Sequence, residues 1–509
     1  MIKTHLATLV VLTMLLAGCG SDASSVAATA NPLVAEYVVH PALAGTVTVE
    51  FGEDTTYGRS TSPVHTTVGP TTVLVAGMKA NTTYHMRAHL DYENGTSTVD
   101  DDHVFTTGAL PSGLLPNFTV NTTSGMTPQP GVEMVNIIPA TQQSFVYATD
   151  LDGNVIWYYA PPESKPVGST LYPVKQLSNG HFLCFVAPAS QTPLTIPVTP
   201  TTPNFLREFD LAGNTIRQLN MTDLNTRLAA AGFHITMQVF THDLAVLPNG
   251  HTLVITNSIR TFTNLVGFPG ATNVIGDAVV DLDENFNPVW VWDEFDHFDV
   301  NRHPMMFPDW THSNAIAFSP DDGNFLISIR HQHWIAKVDY RNGAGAGDVL
   351  WKLGYQGDFT LQGAVDPTDW FYAQHDVNFV SSNTTGSFKL AIMDNGDNRV
   401  FPSGLTCGTT GAPACYSTIP VMLVDENAKT ASFLFHQILP SSLYSVFAGN
   451  TRIQANTNVE YNLAGVGSDA YVFEVTPTAT PLTVWQMHII GSNTYRALRM
   501  PSLYPGVQW

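Results

Sequence analysis

A repeated pair of hairpins restricts the fold of this 509-residue chain more than any other sequence feature. From about residue 118, an apolar strand, an acidic residue, a polar turn and a strand that often carries Trp recur as one unit. The copies of this acidic hairpin span residues 147–157, 208–216, 280–290, 338–351, 424–433 and 473–485. A second kind of hairpin lies between the copies and often turns at Asn-Gly or Asp-Gly, as at Asn179 and Asn249. Two alternating hairpins give four strands per unit, so residues 118–509 are predicted to form a six-bladed β-propeller.

The order of the hairpins predicts how the ring of blades closes. The acidic hairpin comes first along the chain, whereas an inner type of hairpin comes late. The last blade is therefore expected to combine strands from both ends of the domain. Residues 133–158 would pair with the segment around 495–504.

A smaller unit precedes the repeat over residues 34–112. Short runs such as 47–51 and 84–90 alternate apolar and polar residues, a pattern typical of a β-sandwich. The approach to the strand at Tyr84 and the ending at 105–108 resemble a fibronectin type III module, in which Tyr84 would be the corner tyrosine. The whole chain is thus expected to be all-β, with a small fibronectin type III-like β-sandwich before the propeller.

The charge balance excludes one large class of partners. The chain has 42 Asp plus Glu against 21 Lys plus Arg and a formal net charge of −21, so we expect no nucleic-acid partner. Charged residues make up only 12% of the chain and hydrophobic residues 44%, which indicates a folded protein rather than a disordered one. No stretch after residue 18 approaches the roughly 20 apolar residues that a membrane-spanning helix needs.

The first residues have the composition of an export signal, which we assign to residues 1–18. Its apolar run ends in the sequence LAGC at Cys19, which resembles the lipobox of bacterial lipoproteins, where the Cys is acylated and becomes the mature N-terminus. An ordinary signal peptide with an incidental Cys is the alternative. Residues 19–33 would then be a tether that holds an exported, lipid-anchored protein at the periplasmic face of a membrane. The outer membrane is favoured because Gly20, and not Asp, follows the Cys.

Export to an oxidising compartment makes the other cysteines disulfide candidates. Cys407 and Cys415 lie eight residues apart in a loop rich in Gly, Thr, Pro and Ala, which is compatible with a small local disulfide. Cys184 lies inside an apolar run and is interpreted as a buried free thiol.

Three histidines occupy one geometric position of the repeat. His242, His312 and His375 each open the inner hairpin of successive blades, and the first strand of a propeller blade lines the central channel. The three imidazoles are therefore expected to converge at the channel mouth. Arg330 ends the second strand of the His312 hairpin, so an antiparallel pairing returns it to the same place. One permanent charge beside three donors predicts an anion site.

Other histidines are given structural roles. His181 and His251 each follow an Asn-Gly turn and are interpreted as turn residues. His331 and His333 are expected to flank an exposed turn near Arg330, as candidates for supporting the site. The irregular aromatic segment at 295–310 is a candidate lid.

Several short patterns around these residues are specific. They are His312-x-Asn314 followed by Arg330, Gln374-His375-Asp376 leading to Asp394-Asn395-Gly396, Thr241-His242-Asp243, and Tyr495-Arg496-Ala497. In these patterns the chain resembles the bacterial arylsulfate sulfotransferases, which are six-bladed propellers behind a small β-sandwich. The lipobox and the fibronectin-like front domain depart from the members with plain signal peptides.

The resemblance implies a reaction and roles for the site. The histidine that matches His375 attacks the sulfur of a phenolic sulfate ester and is transiently sulfated, and a phenolic acceptor then takes the sulfuryl group in a ping-pong mechanism. Residues that match His242, His312, Asn314 and Arg330 bind the sulfuryl group or the leaving phenol. The family disulfide follows the nucleophile's blade, as Cys407 and Cys415 do here. The resemblance implies no cofactor, no metal and no use of 3'-phosphoadenylyl sulfate.

Other interpretations stay open at this point. Three histidines can bind a metal, although the adjacent Arg330 argues against a cation. An aryl sulfate hydrolase could use the same site with water as acceptor, and a non-catalytic propeller could bind a glycan or protein. A homodimer is also left open. Leaving-group protonation is assigned to His312 or His242.

Overall fold

The computed structural model describes residues 24–138, 144–164, 169–188, 203–383 and 385–509. The predicted export signal at 1–18 and the predicted lipid-bearing Cys19 lie outside the described residues. Among the residues described, strands dominate, and none of the few helices has the length and apolar character that crossing a membrane requires.

The front domain is built from nine short strands. They are β1 (Ser25–Ala28), β2 (Ala35–Val39), β3 (Gly45–Gly52), β4 (Arg59–Ser60), β5 (Val64–Thr66), β6 (Thr71–Val75), β7 (Thr83–Tyr92), β8 (Ser97–Val99) and β9 (His103–Thr106). Strands β1, β2 and β6 form one sheet, and the other six strands form a second sheet around β3 and β7. Alternate residues of these strands are buried, as the period of a half-buried strand requires. The Tyr84 hydroxyl accepts a hydrogen bond from the backbone N–H of Lys79 at 3.0 Å, the corner contact that the sequence predicts.

Strand β1 lies within residues 19–33, so the assignment of this whole segment to a tether is wrong in part. Its four residues pair with β2, where Ser25 lies opposite Val38 and Ala28 opposite Ala35. Val26 packs against the apolar core of the front domain. A four-residue edge strand of Ser, Val and Ala has too little pattern to be recognised from sequence.

In the part of the chain that the structure describes, twenty-six strands and one α-helix follow the front domain. In chain order they are β10 (Asn117–Thr122), β11 (Val132–Ile138), β12 (Phe145–Thr149), β13 (Val155–Tyr159), β14 (Ser169–Gln176), β15 (Phe182–Pro188), β16 (Phe205–Phe209), β17 (Thr215–Asn220), α1 (Met221–Ala230), β18 (Phe240–Val246), β19 (Thr252–Leu265), β20 (Phe268–Leu282), β21 (Pro288–Asp293), β22 (Ser313–Phe318), β23 (Phe325–Ile329), β24 (Trp334–Val338), β25 (Val349–Gly354), β26 (Thr360–Gln362), β27 (His375–Phe379), β28 (Ser387–Met393), β29 (Thr418–Asp425), β30 (Thr430–Ile438), β31 (Asn450–Ile453), β32 (Val459–Val466), β33 (Asp469–Val475), β34 (Thr483–Ile490) and β35 (Asn493–Met500).

These strands form six sheets, which are the blades of the predicted propeller and are antiparallel except where β26 pairs with β30. From the innermost strand outward, blade 1 is β35-β11-β12-β13, blade 2 is β14 to β17, blade 3 is β18 to β21, blade 4 is β22 to β25, blade 5 is β27 to β30, and blade 6 is β31 to β34. Strands β26 and β10 add to the outer edges of blades 5 and 6. Each innermost strand contacts the innermost strands of its two neighbouring blades, and β35 contacts β14, so the ring is closed.

Blade 1 closes the ring with strands from both ends of the domain, as predicted. Strand β35 pairs with β11, with Val135 opposite Ala497. The seam also carries buried charges: the Arg499 guanidinium donates to Glu133 at 2.8 Å and to Glu474 at 3.0 Å.

Side chains of blade 1 cross the central channel. The rings of Tyr495 and Tyr172 stack at 3.7 Å between centroids. Arg496 Nη2 reaches across to donate to the carbonyl of Asn314 at 3.2 Å in blade 4, while its Nη1 donates to the carbonyl of Gly449 at 2.6 Å. The Tyr495 and Arg496 side chains therefore lie inside the central channel, where the Tyr495 ring is 6.3 Å from that of His242 between centroids.

The end of the chain joins the two domains. After β35, the Tyr504 hydroxyl accepts from the backbone N–H of Ala76 at 2.7 Å and donates to the carbonyl of Leu74. The indole N–H of Trp509 donates to the carbonyl of Ser60 at 3.0 Å. The front domain is thus fixed to the propeller by side chains buried in its core.

The described cysteines follow the sequence interpretation. Cys407 and Cys415 form a disulfide in the loop between β28 and β29. Cys184 is a free, buried thiol in β15, and burial raises its pKa to about 12. This thiol is therefore protonated and unreactive at neutral pH.

Candidate functional site

The three predicted histidines lie where the innermost strands of blades 3, 4 and 5 begin. His242 lies in β18, His312 directly precedes β22, and His375 opens β27. The pairing register of each strand shifts at this point, which is the mark of a β-bulge. His242 and His312 have φ angles of 54° and 52°, in the left-handed region, and Asp376 takes the same conformation beside His375. These irregular strand starts redirect the side chains at the channel rim.

The structure brings the three imidazoles together. The rings of His242 and His312 lie 4.6 Å apart between centroids. His375 is close enough to both that their charges interact, and Arg330 lies within the same electrostatic reach. His242, His375 and Arg330 are buried, whereas the His312 side chain is 19% exposed and gives the cluster its contact with solvent.

His375 is held in one tautomer. Its Nδ1 lies 2.7 Å from Oδ1 of Asn395. The Asn395 Nδ2 group donates to the carbonyls of Ser445 and Ala448, which fixes the amide so that its oxygen faces the imidazole. An amide oxygen only accepts, so Nδ1 of His375 carries the proton and Nε2 carries the lone pair.

The lone pair of His375 is aimed at a backbone amide. The N–H of Ala448 donates to Nε2 at 3.2 Å. Burial lowers the pKa of His375 well below its ordinary value, and the positive charges of Arg330 and Arg496 lower it further. The imidazole is therefore neutral at neutral pH, the state in which Nε2 is nucleophilic.

His312 is paired with a carboxylate. Its Nδ1 lies 2.7 Å from Oδ2 of Asp309, three residues earlier in the chain. The ring of His331 stacks on it at 4.5 Å. His242, by contrast, has the Thr241 hydroxyl at 2.5 Å from its Nδ1, and burial lowers its pKa well below the ordinary value.

Arg330 is fixed by three partners, one of which is the carbonyl of Val446, to which Nη2 donates at 3.3 Å. Its Nη1 donates to Nε2 of His331 at 2.9 Å, and its Nη2 forms an ion pair with Asp397 at 2.8 Å. Asp397 in turn accepts from the Tyr444 hydroxyl. The buried Nε of Arg330 has no hydrogen-bond partner among the described residues and is left for a ligand.

The turn after Arg330 is buried, so the expectation of an exposed turn with His331 and His333 is wrong. His331 donates from Nδ1 to the carbonyl of Asp309 at 2.7 Å, and Nδ1 of His333 accepts from the backbone of Ala373 at 2.9 Å. Burial lowers the pKa of His331 to about 3. Both rings are neutral supports of the site wall.

Asn314 is fully buried at the start of β22. One N–H of its amide donates to the carbonyl of Gln374 at 2.7 Å, and its Oδ1 has no partner among the residues described. The second amide N–H is the group that could serve as a donor to a ligand.

Three further residues of the site were missed by sequence reasoning. Asn395 orients His375, Asp309 holds His312, and Arg496 adds a second buried guanidinium that interacts with His242 and His375. Asn395 and Arg496 stand inside patterns that the sequence analysis quoted, so those patterns were the available signal. Asp309 lies in an irregular segment, where the sequence carries no pattern that could have identified it.

A metal at this site has little support from the donor atoms. Among the described residues, Asp309, His312 and His331 are close enough together to hold a cation. Both nitrogens of His331 are already in use, however, and one of them faces the guanidinium of Arg330. The surrounding charge therefore favours an anion.

Two segments border the mouth. Strands β19 and β20 extend well beyond the level of β18, because Phe240 lies opposite Thr256 while the hairpin continues to Leu265. Phe268 of this hairpin packs on Phe307 at 4.5 Å between ring centroids, within the predicted lid segment 295–310. This segment runs to Asp309 beside His312, and so forms one wall of the mouth.

Comparison with solved structures gives distant similarities. No curated protein matches the chain. The similar solved structures include a protein described as a 6-phosphogluconolactonase from Bacteroides fragilis, at 9% identity and a TM-score of 0.35 over 90% of this chain and 98% of that one. The hydrazine synthase of Kuenenia stuttgartiensis is similar at 10% identity and a TM-score of 0.30, over 69% of this chain and 79% of the other. These likenesses are too distant to bear on activity.

One family model covers well over half of the chain. It is the arylsulfotransferase (ASST) model, and it matches residues 118–494. The matched range contains blades 2 to 6, blade 1 without most of its innermost strand β35, and every histidine and arginine of the site except Arg496. This chain therefore belongs to the arylsulfotransferase family.

Proposed function

We propose that this protein moves a sulfuryl group from a phenolic sulfate ester to a phenolic acceptor, through a sulfated His375 and without 3'-phosphoadenylyl sulfate. The observation that carries the proposal is the state of His375. It is neutral, its Nδ1–H is held by Asn395, and its Nε2 lone pair lies within the field of two guanidinium groups. A neutral nucleophile beside fixed cations suits attack on an anionic ester.

In the first half-reaction, Nε2 of His375 gives up the hydrogen bond from the Ala448 N–H and attacks sulfur, while the bond from sulfur to the phenolic oxygen breaks. The ring keeps its Nδ1 proton, so its new positive charge is balanced by the sulfuryl group. Arg330 and the second amide N–H of Asn314 are placed to bind sulfuryl oxygens. For this step His312 carries a proton on both ring nitrogens: Asp309 accepts from Nδ1–H, and the Nε2 proton passes to the departing phenolate, which leaves a neutral ring.

In the second half-reaction, a phenol replaces the first product. Nε2 of His312 accepts the phenolic proton, and the phenol oxygen attacks sulfur. The bond from sulfur to Nε2 of His375 breaks, and its electron pair returns to the imidazole. The same residues serve both directions, as a ping-pong transfer between two similar phenols requires.

The test compares transfer with hydrolysis. The purified protein is given a chromogenic aryl sulfate with and without a phenol, beside His375→Asn and the matched control His181→Asn, a turn histidine paired with Glu208. We expect phenol-dependent release in the wild type and in His181→Asn, and none in His375→Asn. Equal release without a phenol would show a hydrolase, and unchanged release in His375→Asn would remove the nucleophile assignment.

We further propose that Cys19 is acylated and holds the protein at the periplasmic face of a membrane, with the outer membrane favoured. The LAGC sequence at the end of the apolar run supports this proposal. Acylation would supply membrane affinity that an acidic protein cannot obtain from basic patches. Membrane fractionation of wild type and Cys19→Ala tests it: the wild type should sediment with membranes, and equal fractionation of both would contradict acylation.

A further inference from the structure

Asp309 is a carboxylate in direct contact with His312, and the proposed chemistry does not say what this contact contributes. It lies almost buried at the mouth, with Oδ2 2.7 Å from Nδ1 of His312. We propose that Asp309 is a positioning residue that makes His312 the acid and base of both half-reactions. The inference rests on the proposed transferase function.

The backbone holds Asp309 in place. The segment around it runs parallel to β20, where Ile275 donates to the carbonyl of Pro308 at 2.9 Å and Trp310 donates to the carbonyl of Ile275 at 3.0 Å. The fully buried Trp310 stacks on Phe295 at 5.1 Å between ring centroids. The carboxylate is therefore presented from a rigid strand-like segment, although the segment is irregular along most of its length.

Asp309 keeps its negative charge although it is buried. Burial alone would raise its pKa, but the nearby His312, His331 and Arg330 lower the pKa below the ordinary value. Asp277 lies behind the start of β22, and its carboxylate accepts a hydrogen bond from the Thr311 hydroxyl. Burial raises the pKa of Asp277 to about 7. Of these two carboxyl groups, only that of Asp309 stays ionised throughout the neutral pH range.

A fixed carboxylate on Nδ1 decides what Nε2 can do. Once Nε2 of His312 has given its proton to the leaving phenolate, the carboxylate keeps the remaining proton on Nδ1, so the lone pair of Nε2 faces the phenol of the second half-reaction. When Nε2 takes the proton of a phenol, the carboxylate also stabilises the imidazolium. His242 has only a hydroxyl neighbour at Nδ1, so it lacks this support.

Asp309 also connects the acid to the sulfuryl-binding cation. Its backbone carbonyl accepts from Nδ1 of His331, and Nε2 of His331 accepts from Arg330. Through this chain of contacts, one residue sets the distance between His312 and the guanidinium. One aryl sulfate can then contact both residues, with its phenolic oxygen at His312 and its sulfuryl oxygens at the Arg330 guanidinium.

The experiment uses the dependence of the rate on the leaving group, which a merely structural residue would not change. Asp309→Asn in the full chain is assayed with a nitrophenyl sulfate and with the sulfate of an unactivated phenol, whose pKa is about 10. The control is Asp299→Asn, an exposed residue of the same segment that caps only its own turn. A nitrophenolate leaves without protonation, whereas an unactivated phenolate needs the acid.

We expect kcat/KM for the unactivated donor to fall about 100-fold or more, and for the nitrophenyl donor to fall less than about 10-fold. Asp309→Glu should recover part of the activity toward the unactivated donor. Equal losses with both donors, or no loss, would overturn the inference. If Asp309→Asn does not fold, Asp309→Glu is assayed in its place, with the same leaving-group bias expected and the same equal loss as the contrary result. The transferase proposal itself fails separately, if His375→Asn still transfers from the nitrophenyl donor.

Discussion

The Oδ1 of Asn395 lies 2.7 Å from Nδ1 of His375 and accepts a hydrogen bond from its N–H. Nε2 is therefore the only nitrogen of this imidazole that can attack. The two residues face each other across one hairpin, at the start of β27 and just after the end of β28. In the preceding blade, Arg330 directly follows the end of β23. The segments after the second strands of these two hairpins thus supply a buried cation in blade 4 and an orienting amide in blade 5.

Replacing this amide should slow the chemistry more than it weakens binding. In Asn395→Ala the buried Nδ1–H of His375 loses its acceptor, which costs about 1–3 kcal/mol and lets the ring turn. We expect kcat to fall about 10- to 100-fold with KM little changed. Steady-state kinetics beside Asn427→Ala, an exposed loop amide, measures the effect. A raised KM with full kcat would mean that Asn395 acts on substrate binding instead.

Arg330 should not be replaceable by another cation. Lys keeps the charge but loses the planar fork that contacts His331 and Asp397 and leaves Nε for a ligand. We expect Arg330→Lys to lower kcat/KM about 100-fold, within the range for losing one oxyanion donor. The control Arg341→Lys changes an exposed arginine that pairs within its own turn. Equal kinetics of the two variants would exclude a fork-shaped contact.

The pH dependence of His375 sulfation should show no loss through the neutral range. Burial lowers the pKa of this imidazole well below 6.5, so the neutral nucleophile is protonated only in more acidic solution. We expect the rate of the first half-reaction with a nitrophenyl donor to stay level from about pH 8 to pH 6.5. Rapid-mixing measurements across this range test it. A rate that halves near pH 6.5 or 7 would mean that His375 titrates normally.

The same burial links folding to pH. The unfolded chain binds a proton to each histidine near pH 6.5, whereas buried His242 and His375 bind theirs only at lower pH. The unfolded state therefore holds more protons below about pH 6.5, and stability should fall as the pH decreases through that window. Thermal unfolding of wild type and His242→Gln at several pH values measures this loss, which should be smaller in the variant. An equal loss in both would assign the acid sensitivity to other groups.

Closure of the ring should depend on Arg499. Its guanidinium is buried between Glu133 and Glu474 at the seam of blade 1 and blade 6. Arg499→Leu leaves these carboxylates without their cation, and breaking a buried pair in this way costs about 3–5 kcal/mol. Urea unfolding beside Arg341→Leu checks the value. A loss below about 1 kcal/mol would show that the pairing of β35 alone holds the ring closed.

The sequence was sufficient for the blades and their closure because tight turns and alternating strands are local signals. It did not predict the edge strands β1, β10 and β26, which are short and are specified by the sheets they join. The long β19–β20 hairpin also exceeded expectation, because Asn and Thr along its extension give weak strand signals.

For the site, the repeat was informative because it places equivalent residues at one rim. His242, His312 and Arg330 could therefore be predicted to meet. Asn395 and Arg496 stand inside short sequence patterns, but their roles depend on contacts between strands or across the channel, which the patterns do not describe. The burial of His331 was missed for a similar reason, since tertiary packing decides whether a turn is exposed.

The central claim, a sulfated His375, is tested most directly by a single turnover without acceptor. The protein is mixed with a radiolabelled aryl sulfate, release of the phenol is followed, and the label is located by peptide mass analysis at alkaline pH. The account predicts a burst of one phenol per protein, label on His375, and loss of the label when a phenol is added. Steady phenol release without a burst, or label on another residue, would contradict it.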